Sequence, residues 1–237
     1  MALGLGIVNE LLEVPTLWTP RDQNLSNHLL FWFENHNDVS VSAWLDQSRT
    51  ENHVGQNSIL AQPTVVDGGL RFDGSSTYMD FDSRSTIDQR GVFTVSMAFK
   101  LSANSNECFL SDGTSEFMEV MTAKKLRFKG NNGGGLVSTL ASNDTIFPLD
   151  ELIVMIFSRD SSSNLKLWIN GSPVAFTVAS TNTTNDRGFD IFNLGIRNDN
   201  DRHFGGDIYE LFMHNKFLGE SEVANASDYL RHKFIHL

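Results

Sequence analysis

A single cysteine, Cys108, stands in a chain of 237 residues. No internal disulfide can form, and clustered-thiolate zinc sites fail for want of ligands. Basic residues are outnumbered: 18 Lys and Arg face 29 Asp and Glu, for a net charge of -11. That balance argues against a nucleic-acid partner, because a phosphate backbone wants a basic surface. No stretch reaches the roughly 20 consecutive apolar residues of a membrane span, so no membrane is expected. No export signal is expected either: the first eight residues are apolar, but no basic segment precedes them, Glu10 and Glu13 follow, and no small-residue cleavage site is evident. Polar aromatics are few, with three Tyr against 18 Phe.

That phenylalanine load suits two facing sheets whose interior takes bulky side chains without polar tips. With 40% hydrophobic content the chain can bury a large core as one domain. Between residues 29 and 213, short apolar runs are punctuated by Gly, Asn, Asp and Ser, the pattern of many strands and turns. The clearest strand is 93–101, where odd positions are large and apolar and even ones mostly small or polar. One of its faces is core, and the other meets solvent or a second layer. Further strands are expected at 29–33, 69–72, 78–81, 108–111, 117–122, 125–129, 152–159, 165–169, 173–177 and 189–196. Asn170-Gly171 marks a hairpin, because both residues tolerate positive φ. Residues 1–16 precede the strand pattern as an apolar arm, with Pro15 ending any helix there; residues 17–237 form the domain.

The C-terminal segment reads as a strand, a turn and a helix. Strict alternation would place Ile208, Glu210 and Phe212 on one face and Tyr209, Leu211 and Met213 on the other. An acid on a mostly apolar stripe needs a partner. Gly219 is the expected N-cap, with Glu222 at the third helical position, Leu218 stapling Val223, and Glu220 and Glu222 suiting the positive end of the helix dipole. Val223, Ala226, Leu230 and Phe234 then make one buried stripe.

Several blocks carry a family resemblance. Leu17-Trp18-Thr19-Pro20, Leu29-Leu30-Phe31-Trp32-Phe33, Trp44-Leu45-Asp46-Gln47-Ser48, Gln62-Pro63-Thr64 and Leu70-Arg71-Phe72-Asp73-Gly74 come first. Phe93-Thr94-Val95-Ser96-Met97, Leu165-Lys166-Leu167-Trp168-Ile169-Asn170-Gly171, Asn193-Leu194-Gly195 and Gly206-Asp207-Ile208-Tyr209-Glu210-Leu211 follow. In this order they resemble the concanavalin A-like, laminin-G-like domains. The resemblance implies an all-β, two-sheet antiparallel jelly-roll-like sandwich closed by a C-terminal helix, used mostly to bind glycans or proteins and sometimes carrying calcium.

Catalytic signatures are missing. The Glu-x-Asp-x-x-Glu strand of glucanases sharing this fold is absent, and the nearest acidic pair, Glu116 and Glu119, falls on opposite strand faces. There is no Gly-x-Ser-x-Gly elbow and no phosphate-binding glycine loop. His232 and His236 lie one helical turn apart without a third ligand, so all seven histidines read as surface residues. In Asn198-Asp199-Asn200-Asp201, the carboxylates of Asp199 and Asp201 are candidate calcium ligands, weighed against a solvated turn. Asp46 and Asp73 read as turn residues. Trp32 and Trp44 read as core, while Trp168, opposite the Leu165-Leu167-Ile169 face, either lies under a second layer or is offered to a sugar.

The expectation is a non-enzymatic binding protein without an obligatory cofactor. In the first reading it is a phage virion structural protein, a capsid decoration or tail-associated component. Leu3, Leu5, Ile7, Leu11 and Leu12, too apolar for a free tail, would dock it on other virion proteins, weighed against packing on the sandwich itself, and it would be homo-oligomeric or particle-bound. The alternative is a stand-alone extracellular lectin, calcium-dependent or not, that binds a cell-surface glycan.

Overall fold

The computed structural model describes residues 18–237 apart from 23, 36–38, 103–105, 114–115, 123–124, 131–137, 142–145, 176, 179–187 and 198–201. The arm residues Leu3, Leu5, Ile7, Leu11 and Leu12, and the candidate ligands Asp199 and Asp201, lie outside the described residues.

In chain order the strands are β1 (Leu29–Phe33), β2 (Ala43–Trp44), β3 (Val54–Gly55), β4 (Thr64–Val66), β5 (Gly69–Asp73), β6 (Met79–Ile87), β7 (Phe93–Leu101), β8 (Glu107–Asp112), β9 (Glu116–Val120) and β10 (Leu126–Lys129). They continue as β11 (Ser138–Ala141), β12 (Ile153–Arg159), β13 (Leu165–Ile169), β14 (Ser172–Pro173), β15 (Thr177–Val178), β16 (Phe189–Leu194), β17 (Ile196–Arg197), β18 (Arg202–His203) and β19 (Gly205–His214), before helix α1 (Glu220–Lys233). One sheet runs β14-β13-β12-β7-β19-β5-β4, with β1 also paired to β19. A nine-stranded sheet runs β15-β11-β10-β9-β8-β16-β6-β3-β2, and β17 and β18 form a separate ribbon. The pairings within these sheets are antiparallel.

Two apolar layers result. Between the sheets, phenylalanines interlock in groups: Phe31, Phe33 and Phe81 with Trp44; Phe93, Phe128, Phe157 and Phe189; and Phe99, Phe109 and Phe204. Such pairs add about 0.5–1.5 kcal/mol beyond their burial. The second layer lies between the outer side of the β7–β12–β19 sheet and α1, and includes Ala98, Val154, Ile156, Phe212, Val223, Ala226 and Leu230. Strand β7 is therefore buried on both faces, and its small even positions Thr94, Ser96 and Ala98 face the helix layer rather than solvent.

The helix begins as expected. Glu222 accepts the Gly219 N–H at 2.9 Å, the glycine contributes no side-chain acceptor, and Leu218 and Val223 share the apolar layer. The face assignment in β19 differs. The register shifts between Ile208 and Glu210, a bulge that turns Tyr209 and Glu210 both toward α1. Ile208, Leu211 and Met213 thus point between the sheets, while Tyr209 and Phe212 point to the helix. Past the bulge, the outer edge of β19 passes from β5 to β1. The strand expected at 173–177 is also only partly formed, as the two-residue β14 and β15, and Gly195 at φ 83° separates β16 from β17.

Glu210 has the partners its position demands. Trp32 Nε1 donates to it at 2.8 Å, the Tyr229 hydroxyl at 2.7 Å and Lys233 Nζ at 2.6 Å. Burial still pushes its carboxyl pKa upward, against the pull of Lys233, Tyr229 and Trp32. No helix among the described residues is long and apolar enough to cross a membrane.

Candidate functional site

Register fixes which side chains crowd the outer face of the nine-stranded sheet. Ala43 pairs with Gly55, Gly55 with Asp80, Asp80 with Asn193, Asn193 with Ser111, Ser111 with Phe117, and Phe117 with Lys129. Directly paired residues share a face, so these seven form one row crossing β2, β3, β6, β16, β8, β9 and β10. The β17–β18 ribbon lies over the middle of the row, where the Ser111 hydroxyl donates to the Ile196 carbonyl at 2.7 Å. It separates a polar groove on one side from a cationic patch on the other.

The groove has a volume of about 500 Å³ and is lined by Leu45, His53, Gln56, Asn57, Asp80 and Asp82 among others. Ala43 and Gly55 leave its floor open because they carry the smallest side chains. His53 Nδ1 accepts the Asp46 N–H at 3.0 Å, which places the proton of the neutral ring on Nε2, as a donor. Burial raises the pKa of Asp80, partly offset by the 2.6 Å hydrogen bond that Asn193 donates to it. Among the described residues, the Asp82 and Asn57 side chains accept or donate no hydrogen bond, and Leu45 is an exposed apolar wall.

Across the ribbon, Glu119 is fully buried beside three arginines. Arg127 Nη1 lies 3.0 Å away, Arg202 Nη1 2.6 Å and Arg197 Nη1 3.7 Å. Phe117 backs the group: Arg197, Arg127 and Lys129 lie 4.7, 5.2 and 5.8 Å from its ring centroid. Arg127 has its pKa lowered by burial, with Arg202 and Arg197 pushing the same way and Glu119 resisting.

A third cluster escaped the sequence reading. The carboxylates of Asp112, Glu116 and Asp190 lie within 4.8 Å of one another. Burial pushes Glu116 up to about 7, with Asp190 and Asp112 adding to the rise against the hydrogen bond from the Asp190 N–H and the pull of Arg84. Arg84 contacts Asp112 at 2.7 Å, so a hard cation here would have to displace a guanidinium and a proton. None of the three lines the groove. Glu116 and Glu119 fall on opposite faces, as their spacing requires: one joins this acidic cluster, the other the arginines.

The remaining predicted residues have definite places. Trp44 is fully buried and Trp32 nearly so. Trp168 is half-buried against the helix layer, on β13 of the other sheet from the groove. Asp46 accepts hydrogen bonds from Trp32 N, Ser48 N and Asn52 N. Asp73 accepts from the Ser75, Ser76 and Thr77 amides; burial would raise its pKa, but these bonds and the Ser76 hydroxyl bring it well below the usual carboxylate range. His214 departs from the surface reading, being buried beside the Pro20 carbonyl at 3.0 Å.

A family model described as the concanavalin A-like lectin/glucanases superfamily matches residues 73–224. The chain belongs to that superfamily. The match takes in the blocks at 93–97, 165–171, 193–195 and 206–211, and the earlier blocks contribute β1, β2 and β5 to the same superfamily sandwich. No curated protein sequence matches the chain. Among solved structures, Trypanosoma rangeli sialidase in complex with a difluoro-KDN is 15% identical with a TM-score of 0.58, covering 94% of this chain and 36% of that one. The binding domain of Paraclostridial Mosquitocidal Protein 1 is 15% identical with a TM-score of 0.61, covering 86% and 52%. Botulinum neurotoxin type C, whose cell entry depends on interaction with two ganglioside molecules, is 13% identical with a TM-score of 0.60, covering 87% and 52%. The chain thus spans about a third to a half of the length of these proteins, and the likeness is one of fold.

Proposed function

We propose that this superfamily sandwich is a non-catalytic, lectin-like module that binds carbohydrate in the polar groove on the outer face of its nine-stranded sheet. The observation that carries this reading is the groove's chemistry: the His53 donor, the open Asp82 and Asn57 groups and the Leu45 wall converge above a floor of Ala43 and Gly55. Sugar hydroxyls need such mixed acceptors and donors beside an apolar surface. The neurotoxin of like fold, whose cell entry depends on interaction with two ganglioside molecules, agrees with it. The test is binding of the full chain to a glycan array, repeated with Asp82→Ala and Asn57→Ala. Loss of the bound glycans in both variants, with unchanged melting, supports the reading; absence of any bound glycan overturns it.

Catalysis would need paired carboxylates facing a substrate cleft, and the acidic cluster at Glu116 lies off the groove. Turnover of a polysaccharide that disappears in Glu116→Gln would overturn the non-catalytic reading. The virion role is a separate proposal that rests on the apolar arm: Leu3, Leu5, Ile7, Leu11 and Leu12 call for a covering surface. Deletion of residues 1–14 should leave the sandwich folded but abolish joining to a particle or oligomer. Intact assembly after that deletion contradicts docking by the arm.

A further inference from the structure

Across the ribbon, Arg127 and Arg202 keep donor positions that Glu119 does not fill. Arg127, Arg197 and Arg202 gather around the buried Glu119, and Lys129 joins Arg127 over the Phe117 ring, in a chain whose net charge is -11. They come from three places in the chain: the outward positions of β10, the end of β17 and the start of β18. The arginine side chains remain 13–21% exposed, so they are partly sheltered from water yet open on one side. Among the described residues, the ionic partner of Arg127 and Arg202 is Glu119, and each bonds it through a single Nη1. Most of the donor positions of each planar fork are therefore left for a second acceptor. Packing against Phe117 holds Arg127, Arg197 and Lys129 together despite their like charge.

Register also fixes the separation from the groove. Asp80 and Phe117 are three strand spacings apart along the row, about 14 Å at about 4.8 Å per strand. That is the scale of a short oligosaccharide, which would pass over the β17–β18 ribbon standing between the two. We propose that Arg127, Arg202 and Lys129 form an anion subsite that receives the carboxylate or sulfate of an acidic sugar whose neutral part occupies the groove. Guanidinium forks match both groups, since each presents a pair of oxygens for parallel N–H donors. This inference rests on the carbohydrate-binding reading for the neutral part of the ligand, while the anion subsite itself can be examined alone.

The experiment compares neutral glycans with their sialylated and sulfated counterparts on the full chain, at low salt and at 0.5 M salt. A parallel NMR titration follows arginine side-chain signals with sodium sulfate at constant ionic strength. The variants are Lys129→Gln, which leaves the Glu119 contacts intact, and the charge-balanced pair Glu119→Gln with Arg202→Gln, which avoids stranding a buried acid. The expected result is at least tenfold tighter binding of acidic over neutral glycans. The preference should shrink in high salt and fall severalfold both in K129Q, which removes one charge, and in the balanced pair, which removes one fork, at unchanged melting temperature. If sialylated ligands alone are preferred, the anion is a carboxylate; if sulfated ones alone, a sulfate. Equal binding of neutral and acidic glycans, or a preference untouched by the variants, overturns the anion subsite and leaves the lectin reading standing. Sulfate shifts at Arg127 and Arg202 without binding of any glycan support the subsite and overturn the lectin reading. Binding of neither overturns both.

Discussion

Lys233 is the cation that steadies the buried Glu210, and replacing it with methionine gives a cost whose size and pH dependence follow from the geometry. The lysine keeps a stem of similar length as Met, so packing against Tyr229 and Phe234 changes little, while the 2.6 Å ion pair with Glu210 is lost. The stranded carboxylate then escapes by taking up a proton. For a carboxyl with an unfolded pKa of about 4.3, that uptake costs at most about 3.7 kcal/mol at pH 7 and about 1 kcal/mol at pH 5. Lys233 is partly exposed and the Trp32 and Tyr229 donors remain, so the expected loss is about 2–3 kcal/mol at pH 7. The sign is fixed: Glu210 is already pushed upward by burial, removing Lys233 pushes it further, and stability falls as pH rises above the unfolded pKa. Urea denaturation of wild type and Lys233→Met at pH 5, 6 and 7 measures it. The double variant Glu210→Gln with Lys233→Met should abolish the pH-dependent part. A loss below about 1 kcal/mol at pH 7, or one equal at pH 5 and pH 7, would refute the reasoning.

Three further outcomes follow from the same structure. His214, lowered by burial to about 4, should cost the fold up to about 3 kcal/mol as pH falls from about 6.5 through 4; His214→Gln should flatten that acid limb in thermal melts. Glu116, raised by burial to about 7, acts in the opposite sense: stability is lost as pH climbs from about 4.5 to 7. Glu116→Gln should recover about 1–2 kcal/mol at pH 8 after allowing for a weaker bond from the Asp190 N–H, read as a higher denaturation midpoint. Gly206 has φ 148° where β19 meets β7, and a Cβ there would collide with the Lys100 carbonyl oxygen; Gly206→Ala should cost about 4 kcal/mol or more, seen as loss of soluble folded protein.

Much of the fold is legible in the sequence where one physical cause dominates. Strands β7 and β13 fall at 93–101 and 165–169 because alternation against the inter-sheet core is unbroken there. The helix start is readable because Gly219, Glu222 and the apolar stripe agree. The acid in β19 announces a partner, although its partners Trp32, Tyr229 and Lys233 lie 178, 19 and 23 positions away and no local pattern names them all. The two-residue strands β2, β3, β17 and β18 carry no period, so the groove floor and the ribbon are invisible before folding. The bulge after Ile208 is a backbone event that composition does not mark, and it reverses the face of every strictly alternating assignment on one side of it. The arginine patch left one trace: in Leu126-Arg127-Phe128-Lys129 the apolar residues face the core, so both cations must point outward together. Arg197 and Arg202 join them only through the ribbon's fold over β8.

The central claim, that the outer face of the nine-stranded sheet holds sugar without cleaving it, is tested most directly by NMR shift mapping of a bound oligosaccharide on the full chain. Perturbations gathered at His53, Gly55, Asn57 and Asp82, with the oligosaccharide recovered intact, are the predicted result. Perturbations confined to the α1 side of the molecule, or shortened sugar chains in the recovered sample, would contradict it.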